Sequence, residues 1–291
     1  MDFLHNMNWV LPLRSDTATI VANAFTWLGY TLFFLMALPL TYWLWDRTKA
    51  MRLVVIIAIS AVLNGWLKDL WQDPRPPRKI WLDQRVEGSY GRPSGHAQVA
   101  FAMWMWIAYE LKRPWAWPAA IFIVAGVCLS RLYLGVHDID DILTGLSLGA
   151  ISILIFVWMQ SSIFDSIRTL PTVVHLGIVV IVGVILFMSW PNGHHADQTV
   201  GALVLLAGWL VGADIDHRLA PEAPVLPAWW GRIIIGVSGI VMLFVFRKLV
   251  TEAVALTGLT GTVAEYIVTF ATSFYMTGLA PIGFRAVNLM K

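Results

Sequence analysis

The chain has 291 residues, of which 58% are hydrophobic and 13% charged, and its mean hydropathy is +0.70. An ordinary soluble domain carries about 25% charged residues, so this composition excludes a water-solvated core and makes the bilayer the solvent. The formal net charge of +2, with no basic tract, excludes nucleic acid as a partner and leaves membrane lipids.

Taken in order, residues 1–16 mix Trp9, Leu11 and Leu13 with Arg14 and Asp16, which predicts a short amphipathic helix lying on the membrane surface. A first span is predicted over 19–44, long enough to cross with tilt, followed by the charged turn Asp46-Arg47-Thr48-Lys49. A second span over 53–71 ends near Lys68. Residues 72–92 form the longest polar loop, where Pro74, Pro76 and Pro77 block helix. Further spans are expected at 95–111, 117–130, 138–159, 171–189, 199–213, 232–250 and 261–282, with a turn near Arg247 to Glu252. The prediction is therefore an all-α, polytopic transmembrane bundle of about nine spans. It forms a single domain over 1–291, with a motif-bearing core at about 50–160 and additional spans over 199–282. Many of the 16 Trp flank the apolar runs, as an aromatic belt requires. The single cysteine, Cys128, excludes an intramolecular disulfide and reads as packing. No cleavable signal peptide is expected.

Three polar clusters interrupt this apolar background. The first is Lys68, six residues, then Arg75-Pro76. The second is Pro93-Ser94-Gly95-His96. The third is Ser130-Arg131, five residues, His137, three residues, Asp141. Together they hold three fixed cations, two imidazoles, the Ser94 hydroxyl beside that of Ser130, and a carboxylate, the parts of a pocket for a phosphoryl group. The set resembles the tripartite signature of the type 2 phosphatidic acid phosphatase superfamily, and every position of that pattern is filled. The resemblance covers about 50–160. It implies a six-helix phosphatase core, a phosphohistidine intermediate, no metal or other cofactor, and a site facing away from the cytoplasm.

Phosphoryl transfer is mostly positioning and charge stabilisation. Lys68, Arg75 and Arg131 suit the equatorial oxygens, the arginine forks taking oxygens in pairs. Ser94 and the Gly95 amide open a helix, where free N–H groups and the positive dipole end meet an anion. His137 and Asp141 lie four apart and share a helix face. Asp141 is expected to fix the tautomer of His137 and leave its other nitrogen to attack phosphorus. His96 is expected to protonate the leaving oxygen and later to activate water. Asp138 and Asp140 read as helix-start acids.

The expected activity is that of an integral membrane phosphatase, and the expected substrate is a lipid phosphate or pyrophosphate such as a polyprenyl pyrophosphate, a phosphatidate or a sphingoid phosphate. Arg78, Lys79, Arg85 and Arg92 offer either a second phosphate site or headgroup anchors. Leu63-Asn64, Trp81-Leu82-Asp83 and Glu87-Gly88 resemble glucose-6-phosphatase, which implies a sugar phosphate as the alternative. Transfer to another lipid is a third outcome. An inactive scaffold predicts lost motif residues, and none is lost. Outside the motifs, His194-His195 with Asp197 reads as a solvated turn. Asp214 to Arg218 reads as a cytoplasmic loop bordering a span. Glu265 lies inside the last span without an assigned role. The 20 Lys and Arg divide evenly between the two sides. With the three pocket cations set aside, the count favours an outside N-terminus and an outside site. The absence of an Asn-x-Ser/Thr sequon fits a bacterial or archaeal membrane, and a bacterial plasma membrane is the expected location.

Overall fold

The computed structural model of the chain describes residues 4–191, 197–222, 225 and 227–290. Regular structure among these residues is helical, in agreement with the all-α expectation. Two compact units result. The described residues of Met1–Leu35, Val55–Phe164 and Trp190–Ala196 form the first, and those of Met36–Val54, Asp165–Ser189 and Asp197–Lys291 the second.

The first unit contains α1 (Asp16–Trp27), the start of α2 (Thr31–Leu44), most of α3 (Arg47–Trp71), α4 (Gly95–Leu111), α5 (Ala116–Tyr133) and α6 (Ile139–Met159). Helix α4 packs on both α5 and α6, and α1 packs on α5. Close approach of α4 and α6 depends on Gly145 and Gly149, a small-residue pair four apart of the kind that lets membrane helices touch backbone to backbone. A Cβ on Gly145 would lie 2.6 Å from the Ser94 carbonyl oxygen, and one on Gly149 2.7 Å from that of Gln98. Gln98 itself is fully buried and satisfied: its Nε2 donates to the Ser60 carbonyl at 3.0 Å, and its Oε1 accepts from Asn64 at 2.9 Å.

The amino-terminal stretch, expected to hold a short amphipathic helix, holds one of the 3-10 type with one side buried. Asn8–Leu13 is a 3-10 helix, and Met7 and Val10 are buried with Ile80, Ala97, Val124, Cys128, Leu132 and Ile142. The predicted first span is also broken. Ser15 caps α1 through its hydroxyl, and the chain bends by 52° between α1 and α2, at Leu28 to Tyr30.

The second unit holds the end of α2, the first turns of α3, α7 (Asp165–Arg168), α8 (Thr172–Met188), α9 (Asp197–Leu219), α10 (Trp229–Leu256) and α11 (Gly261–Phe274). A π-helical turn, Tyr275–Leu279, then leads into α12 (Ala280–Ala286). The expected turn near Arg247 to Glu252 lies inside α10, whose helix spacing brings Lys248 within 3.8 Å of Glu252. Asp214 to Arg218, expected in a loop, lie in the last turns of α9.

Among the described residues, six helices are long and apolar enough to cross a membrane, or up to eight if each of two bent pairs is one span. The chain is a multi-pass membrane protein. Each of the nine predicted spans corresponds to helix. The one outside that count of eight is α4, of 17 residues, which is heavily buried among its neighbours.

Gly145→Ala drives a methyl group into the Ser94 carbonyl. We expect a loss of roughly 1–3 kcal/mol, the usual penalty of overpacking, read as a lower thermal midpoint in detergent micelles. An unchanged midpoint would contradict the close α4–α6 contact.

Candidate active site

The eight residues singled out from the sequence all lie in the first unit, and the junction of α5 and α6 is its pivot. Helix α5 ends at Tyr133, and Gly135 turns the chain at φ +71°, packed against the Ile80 carbonyl. The Leu134 carbonyl accepts the Leu82 amide at 2.9 Å, which ties this turn to the polar loop. Asp138 then caps α6 in a reciprocal capping box with Asp141. Thus Asp138 is a helix-start acid, as expected, and also meets His5 Nδ1 at 2.6 Å.

His137 and Asp141 are both buried. The ring Nδ1 lies 2.8 Å from Asp141 Oδ2, and Nε2 lies 3.1 Å from Arg75 Nη1. A carboxylate accepts and a guanidinium donates, so the network assigns the proton to Nδ1 and the lone pair to Nε2. Burial lowers the ring's pKa well below its ordinary value, and the charges of Arg75, Lys68 and Arg131 push the same way. His137 is therefore a neutral imidazole at neutral pH, with its proton-free nitrogen on the side of the cations.

The cations are anchored in two different ways. Lys68, in the last turn of α3, donates to the Tyr90 and Gly91 carbonyls at 2.6 and 3.1 Å. Arg75 donates through Nε to the Ser89 carbonyl and through Nη1 to the Val136 carbonyl, both at 2.6 Å. Neutral carbonyls hold these two side chains without cancelling their charge. Burial lowers the Arg75 pKa to about 10, with repulsion from Arg131 adding to it, which leaves it a cation at neutral pH. Arg131 is fully buried, and its Nη1 meets Asp83 Oδ2 at 3.0 Å and Thr26 Oγ1 at 2.5 Å. Its Nε and Nη2 are buried with no hydrogen-bond partner among the described residues. Burial works against ionisation of Asp83, but hydrogen bonds from Arg85 and Tyr30 and the Arg131 charge outweigh it and hold the carboxyl below its usual range.

The second cluster enters at the start of α4. The Ser94 amide donates to the Asp141 carbonyl at 3.0 Å, joining it to the third cluster. Asn64 donates to the Pro93 carbonyl at 3.2 Å. The Ser94 hydroxyl and His96 Nε2 are buried without a hydrogen-bond partner among the described residues. The His96 ring stands edge-on to Tyr30, with centroids 4.7 Å apart, and a side chain on Gly29 would collide with it. Buried polar groups are almost always hydrogen-bonded. Unpartnered atoms on Ser94, His96 and Arg131 are what a site for a polyanionic group would present.

Sequence reasoning missed Tyr30, Thr26 and Gly29, which carry no motif. It noted Asn64 and Asp83 without assigning them a role. The loop arginines are each paired to a carboxylate: Arg78 to Glu87 at 2.8 Å, Arg85 to Asp83 at 2.8 Å, and Arg92 to Asp140. His194 and His195 lie outside the described residues, as does the side chain of Asp197. Glu265 is exposed on α11.

The family model of the PAP2 superfamily matches residues 49–165, the stretch that carries all three clusters. Sphingosine-1-phosphate phosphatase 2 of Mus musculus is 28% identical over 253 residues, covering 77% of this chain and 70% of that protein. Dihydrosphingosine 1-phosphate phosphatase of Saccharomyces cerevisiae is 27% identical over 171 residues. That match covers 54% of this chain and 42% of the yeast protein, less than half of its length. The crystal structure of a transmembrane PAP2-type phosphatidylglycerolphosphate phosphatase from Bacillus subtilis aligns with a TM-score of 0.47 at 25% identity, covering 53% of this chain and 82% of that one.

A lowered His137 pKa has a signed consequence. The unfolded ring takes up a proton near pH 6.5 and the folded ring only below that. The stability held by neutral His137 is therefore complete above about pH 6.5 and is lost as the pH falls below it. Imidazole-labelled protein in an NMR titration should show His137 in the Nδ1–H form at pH 6.5. A doubly protonated ring at pH 7 would contradict the assignment.

Proposed function

We propose that this chain, which belongs to the type 2 phosphatidic acid phosphatase (PAP2) superfamily and is a lipid phosphate phosphatase of that type, hydrolyses the phosphomonoester of a sphingoid lipid through a phosphohistidine on His137. The observation that carries the reading is the neutral His137 ring, oriented by Asp141 at 2.8 Å and bordered by the cations Arg75, Lys68 and Arg131.

In the first step the Nε2 lone pair attacks phosphorus and the bond to the lipid oxygen breaks. His96 gives its proton to that oxygen, so the lipid leaves as an alcohol. In the second step neutral His96 takes a proton from water, the resulting hydroxide attacks phosphorus, and phosphate leaves Nε2. Lys68, Arg75, Arg131, the Ser94 hydroxyl and the Gly95 amide stabilise the charge on the equatorial oxygens. Arg75 exchanges its contact with Nε2 for one with phosphate as the substrate enters. Asp141 keeps the proton on Nδ1 throughout and stabilises the charge that develops on the ring. The three cations supply the electrostatic work that a metal does in other phosphatases, so the reaction needs none.

Two observations support a sphingoid monoester over a polyprenyl pyrophosphate. The mouse and yeast relatives are named for sphingosine and dihydrosphingosine 1-phosphates. Arg78, Arg85 and Arg92 are occupied by carboxylates, which leaves Lys79 alone for a second phosphate. The pocket is assigned to the non-cytoplasmic face and the membrane to a bacterial plasma membrane, on the cation count and the sequence features given above.

The test is phosphate release by the detergent-purified protein from sphingosine 1-phosphate, phosphatidate, a polyprenyl pyrophosphate and glucose 6-phosphate, with and without EDTA. We expect the highest kcat/KM for sphingosine 1-phosphate, undiminished by the chelator. Preference for glucose 6-phosphate or the pyrophosphate would overturn the substrate. Complete loss in EDTA restored by magnesium would overturn the chemistry.

A further inference from the structure

The second unit contains a charged cluster that the phosphatase chemistry does not use. Asp216, in the last turn of α9, is fully buried. Tyr42 of α2 donates its hydroxyl to Oδ2 at 2.8 Å. Arg47, the first residue of α3, pairs through Nε with Oδ2 at 3.1 Å, and Arg285 of α12 pairs through Nη1 with Oδ1 at 2.7 Å. Two guanidinium groups thus share one carboxylate, and a unit of positive charge remains.

The donors are in surplus as well. Arg47 Nη1 reaches the Ala220 carbonyl at 2.9 Å, but its Nη2 is buried with no hydrogen-bond partner among the described residues. Arg285 Nη1 is close enough to Asp216 for an ion pair but too far out of line for a hydrogen bond, and its Nη2 has no partner among the described residues either. Buried guanidinium N–H groups without acceptors are expensive. What is missing is one negative charge carried on several acceptor oxygens. All four side chains stand at or near helix ends. Lys49 and Arg52 lie in the first two turns of α3, and Arg218, paired with Asp214 at 2.8 Å, in the last turn of α9. Cation-rich helix ends are where lipid phosphates meet a membrane protein.

We propose that Arg47 and Arg285, held in place by Asp216 and Tyr42, form a second anion site that takes the phosphodiester of one anionic phospholipid. The two guanidinium forks match the non-bridging oxygens. One phosphodiester charge brings the cluster to neutrality and gives the unpartnered nitrogens acceptors. The site lies outside the three motifs and stands independently of the phosphatase reading.

The test is native mass spectrometry of the full chain released from mixed micelles of phosphatidylglycerol and phosphatidylcholine, paired with thermal midpoints in each lipid. The wild-type protein should retain one phosphatidylglycerol in preference to phosphatidylcholine. Arg285→Gln and Arg47→Gln should each weaken retention by roughly tenfold or more, the scale of a charge-assisted hydrogen bond. Arg75→Gln, in the phosphatase pocket, should leave retention as it is. Asp216→Asn separates a lipid site from an internal ion cluster, because it removes the protein's own anion. A lipid site then holds phosphatidylglycerol more tightly, and the midpoint difference between the two lipids widens. A purely internal cluster is destabilised equally in both lipids, which would overturn the proposal even if the arginine variants failed to fold. Wild-type retention in both arginine variants would also overturn it, as would loss of retention in Arg75→Gln. Displacement of the lipid by millimolar inorganic phosphate would assign the site to the free ion instead.

Discussion

The Asp141 carboxylate is buried, and a buried carboxylate needs hydrogen bonds to stay in place. One oxygen of Asp141 accepts from His137 Nδ1 and from the Asp138 amide. Its own amide closes the capping box of α6, and its carbonyl takes the Ser94 amide at the start of α4. Gly91, whose carbonyl receives Lys68, packs so close that a Cβ there would be 3.1 Å from the other carboxylate oxygen. One residue, through its side chain and its backbone, thus fixes a ring tautomer, a helix start and the entry of a second helix. The remaining residues of the proposed pocket depend on that arrangement.

The way each cation is anchored separates the pocket from its surroundings. Lys68 and Arg75 are held by backbone carbonyls, which position an ammonium or a guanidinium without neutralising it. The loop arginines Arg78, Arg85 and Arg92 are each held by a carboxylate, so their charge is already answered. Arg131 is intermediate: Asp83 takes one nitrogen, and the other two have no hydrogen-bond partner among the described residues. A fully buried arginine needs a counter-charge to persist, and Asp83 also holds Tyr30, against which the His96 ring rests. The Asp83 carboxylate therefore connects the cation of the third cluster with the histidine of the second.

Local spacing was legible in the sequence because helix geometry makes it so. His137 and Asp141 lie four apart, and the structure joins them. Nine apolar runs are found as helix. The errors came from interactions that no local pattern encodes. Asp83 and Arg131 are 48 residues apart, and Thr26 and Tyr30, from the last turn of α1 and the bend that follows it, belong to no motif. The first span read as continuous because Leu28 to Tyr30 are as apolar as their neighbours, and the bend there accommodates the His96 ring against Gly29. Asp214 to Arg218 read as a loop because charge normally marks a solvated end. Asp216 instead lies inside a helix, buried, with two arginines brought to it from distant parts of the chain.

The central claim is that His137 is the nucleophile and His96 the acid and base. The most direct measurement is rapid trapping of labelled phosphate on the purified protein, using p-nitrophenyl phosphate, whose leaving group needs little protonation. Label should accumulate on the wild-type protein and on His96→Ala, and be absent from His137→Ala. Label on His137→Ala, or label mapped to His96 in the wild-type protein, would contradict the account.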